Sequence, residues 1–148
     1  MNSLILDTEE MLRKLEAEFN NIIGYYKGKQ ADRVFSNRIW VMDKLESNLL
    51  KKAKPLHDSL KKIKSIHNPQ GLPSIQFDAP ISHAGNFIKM TEELYQMYKM
   101  DSSYPDIKLK LKFTIPQLNQ EIQHLRNRFM IIKGNLTRQK SFDANELF

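Results

Sequence analysis

The stretch that decides the fold is residues 34–66, which read VFSNRIWVMDKLESNLLKKAKPLHDSLKKIKSI. Its apolar residues recur at steps of three and four, the period of one buried stripe on a long α-helix. The stripe consists of Phe35, Ile39, Met42, Leu45, Leu49, Ala53, Leu56, Leu60 and Ile63. Pro55 lies inside it and predicts a kink near Ala53. Because a long helix has to bury such a stripe against other helices, the sequence predicts an all-α protein.

The same period predicts further helices on both sides of this stretch. We expect one domain, residues 1–148, built as an antiparallel bundle of three to four long helices. The expected helices cover residues 7–27, 31–66, 83–100 and 116–138, with loops at 67–82 and 101–115. Asp7 and Glu10 have the spacing of a capping box, and Ser82 is the expected N-cap of the third helix. Gly28 weakens the end of the first helix, which either breaks there or continues into the second.

One segment does not follow the helical period. In residues 107–115 apolar side chains alternate with three lysines and a threonine, which is typical of a strand with one solvated face. Residues 72–77 would supply the second strand of a short two-stranded β-ribbon lying on the helices. The alternative for residues 107–115 is an extended loop or a lead-in to the last helix.

The composition excludes several classes of site. The chain has no cysteine, which excludes disulfides, thiolate metal sites and a cysteine nucleophile. Its longest purely apolar run, Phe129 to Ile132, is far shorter than the ~20 residues of a membrane span. The first residues lack a basic head followed by an apolar block, so we expect no signal peptide and a cytoplasmic protein.

The net charge of +6 is unevenly distributed. Two basic blocks, residues 34–67 and 104–148, alternate with the nearly neutral or acidic blocks 1–33 and 68–103. A basic surface suits nucleic acid, anionic lipid or an acidic protein, although a solvated lysine face serves solubility alone. A nucleic-acid accessory protein, of the kind found in phage or mobile-element replication or packaging, would use Lys44, Lys51, Lys62, Lys108, Lys110 and Lys112 for phosphate contacts.

Only weak signals of metal or catalytic chemistry are present. Glu121 and His124 form an E-x-x-H pair, the spacing used in di-iron four-helix bundles, but such a site needs a second pair and two further glutamates. Glu92 and Glu93 are followed three residues later by Tyr95 and Gln96 rather than by histidine. No set of residues supplies a nucleophile, a base and a stabilising group. We therefore expect no metal, no cofactor and no enzymatic activity.

Trp40 is the most useful candidate for binding. By helical angle it lies off the stripe, so either another helix covers it or it is exposed to solvent. Exposed aromatic residues favour interfaces. An interface anchored by Trp40 would include Arg33, Asn37, Lys44, Lys51 and Lys62. Stripes wider than one monomer needs would serve a homo-oligomer equally well.

Two stretches carry a family resemblance. The first contains Tyr26, Gly28, Trp40, Asp43, Leu45, Lys51-Lys52, Pro55, Leu56 and His67. The second contains Tyr104-Pro105-Asp106-Ile107-Lys108, Phe113, Glu121-Ile122 and Asn127-Arg128-Phe129. Together they resemble the LemA family of bacterial helical proteins over about half of the chain. The chain departs from that family because residues 7–23 are charged and amphipathic where its members usually carry a membrane-spanning helix.

The resemblance implies a bundle of long helices with no assigned enzymatic activity, thought to act as a scaffold near membrane proteases. Combined with the helical stripes, it favours a non-enzymatic adaptor or scaffold that acts through protein contacts. The alternative is the basic nucleic-acid-binding accessory protein described above.

Overall fold

The chain is almost entirely helical. The computed structural model describes the backbone of residues 2–146 and the side chains of residues 3–138. Its α-helices are α1 (Asn2–Lys27), α2 (Ala31–Phe35), α3 (Arg38–Asp43), α4 (Lys51–His67), α5 (Ile75–Lys99) and α6 (Tyr104–Glu146), and a π-helical segment, π1 (Lys44–Leu50), joins α3 to α4. Over residues 2–146 the backbone forms no strand. The all-α prediction is therefore confirmed.

The predicted β-ribbon is wrong, because residues 107–115 lie inside α6 and residues 75–77 begin α5. Ile107, Leu111 and Ile115 are buried, whereas Leu109 and Phe113 are 57% and 61% exposed. The buried side chains thus follow the helical repeat. The alternation arises because α6 also carries apolar residues on its solvent side.

Several predicted helix ends are also wrong. Helix α1 begins before Asp7, so that residue does not cap it. Helix α5 begins at Ile75 with Ser74 as its N-cap, rather than after Ser82, so the predicted loop at 67–82 shrinks to residues 68–74. The proline-rich sequence suggested a longer loop, but Pro80 is buried within the second turn of α5. Helix α6 likewise begins at Tyr104.

The second predicted helix is interrupted at residues 36–37. Asn37 caps α3 by accepting a hydrogen bond from the Trp40 backbone N–H at 3.1 Å. The break changes the phase of the stripe, so Phe35 is buried whereas Ile39 is 83% exposed. The departure from α-helical geometry occurs in π1 rather than near Ala53. There the Lys51 N–H donates to the Glu46 carbonyl five residues earlier.

The long helices pair in opposite directions. In each pair, a contact that lies later on one helix lies earlier on the other. Helix α1 meets α4 and π1 at Thr8–Ser59 and Glu18–Asn48, and it meets α6 at Glu9–Lys133 and Glu16–Arg126. Helix α5 meets α4 at Lys54–Glu92 and Lys64–Asp78, and it meets α6 at His83–Glu121 and Glu93–Lys110. One core cluster runs between the helices and includes Leu49, Leu94 and Leu125. This packing leaves one groove between α1 and the α3–π1 region and another between α5 and the π1–α4 region.

The start of α5 depends on a charged carboxylate. Asp78 accepts hydrogen bonds from the Ser74 N–H at 2.9 Å and from Lys64 Nζ at 2.5 Å. The Lys64 hydrogen bond, followed by that from Ser74, lowers the pKa of Asp78 below its ordinary value of 3.8. Because the folded pKa is depressed, this stabilisation is present above about pH 3.8 and is lost as the pH falls through the folded value.

We therefore expect Asp78→Asn to lower the thermal unfolding temperature at pH 7 and to leave it unchanged once wild-type Asp78 is protonated. Circular dichroism melts from pH 7 to strongly acidic solution would measure the difference. Asp58→Asn, on the exposed face of α4, is the matched control and should change the melting temperature little. A deficit of Asp78→Asn that persists unchanged in acid would contradict the proposed linkage.

Candidate partner-binding site

Trp40 lies in a cleft between α1 and the helix formed by α3 and π1. This Trp40 cleft has a volume of about 510 Å³ and is lined by Glu18, Asn20, Asn21, Ile22, Gly24, Tyr25, Trp40, Lys44 and Asn48. The Trp40 ring packs edge-to-face on Tyr25, with ring centres 5.0 Å apart, and on Phe35 at 6.2 Å. Trp40 is half-buried and Tyr25 is 51% exposed. The cleft therefore contains an aromatic pair of which Tyr25 is the more exposed member.

Helical spacing places these side chains together. Trp40, Lys44 and Asn48 are four residues apart and line one side of the cleft. Glu18 and Tyr25, two turns apart on α1, line the other side. Because α1 is antiparallel to π1, Tyr25 contacts Trp40 at one end of the cleft and Glu18 contacts Asn48 at the other end.

The cleft holds one charge of each sign. Lys44 Nζ lies 5.6 Å from the centre of the Trp40 ring, close enough for a cation–π interaction. Asn48 Nδ2 donates to Glu18 Oε2 at 2.7 Å and orients that carboxylate. Among the described side chains, neither Lys44 nor Glu18 forms an ion pair. Both charges are therefore available to groups on a partner.

The other predicted partner-binding residues are dispersed. Asn37 supports Trp40 through its capping bond, and Arg33 is exposed on the short helix α2. Lys51 and Lys62 are exposed on α4 and do not line the Trp40 cleft. The structure thus brings Lys44 to Trp40 in the cleft and leaves Lys51 and Lys62 outside it.

The lysines predicted for nucleic acid lie on two separate regions, π1 with α4, and α6. Lys108 Nζ lies 3.1 Å from Asp32 Oδ1, and Lys110 Nζ lies 3.6 Å from Glu93 Oε2. Lys112 is exposed on α6. Ion pairing of two of the three α6 lysines reduces the positive charge that this helix offers to phosphate.

A larger groove on the α5 side of π1 was not predicted from the sequence. This Leu50 groove has a volume of about 920 Å³ and is lined by Glu46, Leu50, Lys51, Lys54, Lys89, Glu92, Glu93, Tyr95 and Gln96. The Tyr95 hydroxyl donates to Glu46 Oε2 at 3.1 Å, and this hydrogen bond raises the pKa of Tyr95. The available sequence signal was the Leu49–Leu50 pair, since neighbouring apolar residues on a helix face different directions.

The E-x-x-H pair contributes to a polar contact between α5 and α6. His83 Nδ1 lies 2.7 Å from Glu121 Oε2, and the His83 and His124 rings are stacked with centres 5.2 Å apart. In the part of the chain that the structure describes, no three histidine, aspartate or glutamate side chains are arranged to hold a metal ion. His83 and Glu121 thus join α5 to α6 through this polar contact.

Comparison with known proteins does not place the chain in a family. Among the described residues, no helix has both the length and the apolar character needed to cross a membrane. No family model, no curated protein and no solved structure matches the chain.

Proposed function

We propose that this protein is an antiparallel helical bundle that acts as a non-enzymatic adaptor or scaffold, and that a protein partner binds its Trp40 cleft. The main support is the aromatic pair of the partly buried Trp40 and the exposed Tyr25, beside two charges that have no ion-pair partner among the described side chains. Tryptophan and tyrosine are enriched among residues that dominate binding energy, because they bury a large area and keep a polar group. The cleft between helices also suits a partner that contributes a helix.

The resemblance to the LemA family is part of this proposal, since a scaffold is what that resemblance implies. Its first stretch includes Trp40, and its second begins at Tyr104. Tyr104 donates to Asp32 Oδ1 at 2.9 Å, which links the start of α6 to α2. Burial, together with this hydrogen bond, raises the pKa of Tyr104 to about 12.

Nucleic-acid binding is the second candidate. It is favoured by Lys51, Lys61 and Lys62, which are exposed on α4 and form no ion pair among the described side chains. The pairing of Lys108 and Lys110 on α6 weakens it. Binding through phosphates would lose affinity steeply with salt, by about 0.9 log units per phosphate contact for each log unit of salt on duplex DNA.

We expect Trp40→Ala to reduce the affinity of the partner by at least about tenfold, because it removes the anchor of the cleft. Tyr25→Ala should act in the same direction. Capture from host extract with tagged protein, followed by titration of the purified partner, would measure the change. Ile39→Ala, at an 83% exposed position on α3, is the matched control and should leave affinity within about threefold.

Thermal melts of all three variants would separate lost binding from lost folding. Capture that is unchanged by Trp40→Ala and Tyr25→Ala would contradict the Trp40 cleft as the binding site. Capture that disappears after nuclease treatment would favour the nucleic-acid candidate instead. A captured second copy of this chain would make the protein a homo-oligomer.

A further inference from the structure

We infer that the Leu50 groove binds an acidic amphipathic segment of a partner protein, with an apolar side chain over Leu50 and carboxylates at Lys51 and Lys89. This surface lies on the α5 side of π1, whereas the Trp40 cleft lies on the α1 side. The inference goes beyond the proposed function, because it adds a second binding surface and states the chemistry of its occupant.

The π-helical geometry accounts for the apolar floor of the groove. Leu49 is completely buried within the main core cluster. Leu50 is only 6% exposed, yet it lines the groove and does not belong to that cluster. π-Helical turns occur frequently at functional sites. A leucine at the base of an accessible groove is a suitable contact for an apolar side chain of a partner.

The charges of the groove walls favour an acidic occupant. Two of the three lining glutamates already have lysine partners: Glu92 lies 3.3 Å from Lys54, and Glu93 lies 3.6 Å from Lys110. The third, Glu46, accepts a hydrogen bond from the Tyr95 hydroxyl. Among the described side chains, Lys51 on α4 and Lys89 on α5 have no carboxylate within ion-pair distance. Over the described residues, the groove therefore has one cation without an ion-pair partner on each wall, against the single unpaired carboxylate of Glu46.

The surroundings increase the preference for negative charge. The chain has a net charge of +6, which steers acidic partners toward it. Charge complementarity thus operates both at the groove and over a longer range.

An acidic peptide fits the groove better than nucleic acid does. The Glu46 carboxylate would repel a continuous phosphate backbone, and Leu50 would contribute nothing to phosphate binding. A helical segment can instead place carboxylates next to Lys51 and Lys89 and avoid the glutamates. The two antiparallel helices that form the walls resemble the grooves that accept amphipathic helices.

A labelled peptide would test the inference with the full-length chain. The probe is a fluorescein-labelled amphipathic helix of about 16 residues, with leucines four residues apart and flanking glutamates. Fluorescence anisotropy should show saturable binding, and Lys51→Glu/Lys89→Glu should weaken it by at least about tenfold. Leu50→Gln should weaken it in the same direction.

Two controls address net charge. Lys61→Glu/Lys62→Glu reverses the same number of charges on α4 outside the groove and should change affinity by less than about threefold. A peptide with lysine in place of glutamate should not bind. Circular dichroism melts would verify that each variant is folded, and a charge-neutral Lys51→Gln/Lys89→Gln variant would replace any glutamate variant that is not.

Each remaining outcome would overturn the inference. Equal losses in the two lysine-to-glutamate variants would show attraction to net charge rather than a groove. Absence of saturable binding to the wild-type chain would show that the groove does not take this class of segment. Loss of peptide binding in Trp40→Ala would place the peptide in the Trp40 cleft, which would refute the groove and leave the proposed function standing.

Discussion

Replacing Leu111 by aspartate is expected to lower the free energy of unfolding by more than about 4 kcal/mol, whereas Leu109→Asp should cost less than about 1 kcal/mol. Leu111 is 1% exposed, and a carboxylate there would be buried without a partner. Leu109 is 57% exposed on the opposite side of α6, where a carboxylate remains hydrated. Urea unfolding followed by far-UV circular dichroism would measure both values.

This pair of variants distinguishes a helix from a strand. On a strand, Leu109 and Leu111 would point to the same face and the two substitutions would have similar costs. On α6 they point to different sides, so the costs should differ strongly. Similar destabilisation by the two aspartates would contradict the helical assignment of residues 107–115.

Phe87→Ala is expected to destabilise the protein by about 3–5 kcal/mol, because it leaves a cavity at a completely buried position. Phe87 packs edge-to-face on Phe19, with ring centres 5.7 Å apart, and so connects α5 to α1. Phe113→Ala removes the same atoms from a position that is 61% exposed and should cost less than about 1 kcal/mol.

Chemical denaturation of Phe87→Ala, Phe19→Ala and the double variant would complete the measurement. The aromatic pair should appear as a coupling energy of about 0.5–1.5 kcal/mol. If Phe87→Ala were no more destabilising than Phe113→Ala, the contact of Phe87 with Phe19 across the core would be wrong.

The sequence allowed the helical stripes to be predicted where one uninterrupted helix carries them. From Leu45 to Ile63 every apolar residue assigned to the stripe is buried. The predicted burial of Ile39 was wrong because the capping hydrogen bond at Asn37 begins a new helix there, and the apolar period does not reveal such a break. The predicted strand at residues 107–115 was wrong because the apolar residues there fit both the strand period of two and the helical period, and only the packing decides between them.

The candidate sites were less predictable than the helices. The sequence singled out Trp40 but left its burial open, since that depends on where Tyr25 of α1 lies. The Leu50 groove requires both the π-helical turn and the approach of Lys89 on α5. The groove is not encoded in a short pattern, because its two walls come from residues far apart in the chain.

A π-helical turn corresponds to one residue spliced into an ordinary α-helix. Deleting a single residue from Lys44–Leu50 would restore the regular spiral and rotate α3 by about 100° relative to α4 and to α1, which packs against α4. Trp40 would then turn away from Tyr25, while the Lys51 side chain kept its place facing α5. The length of π1 thus sets the rotation between α3 and α4. A change of one residue in that length would misalign Trp40 with Tyr25 while leaving Lys51 in place beside α5.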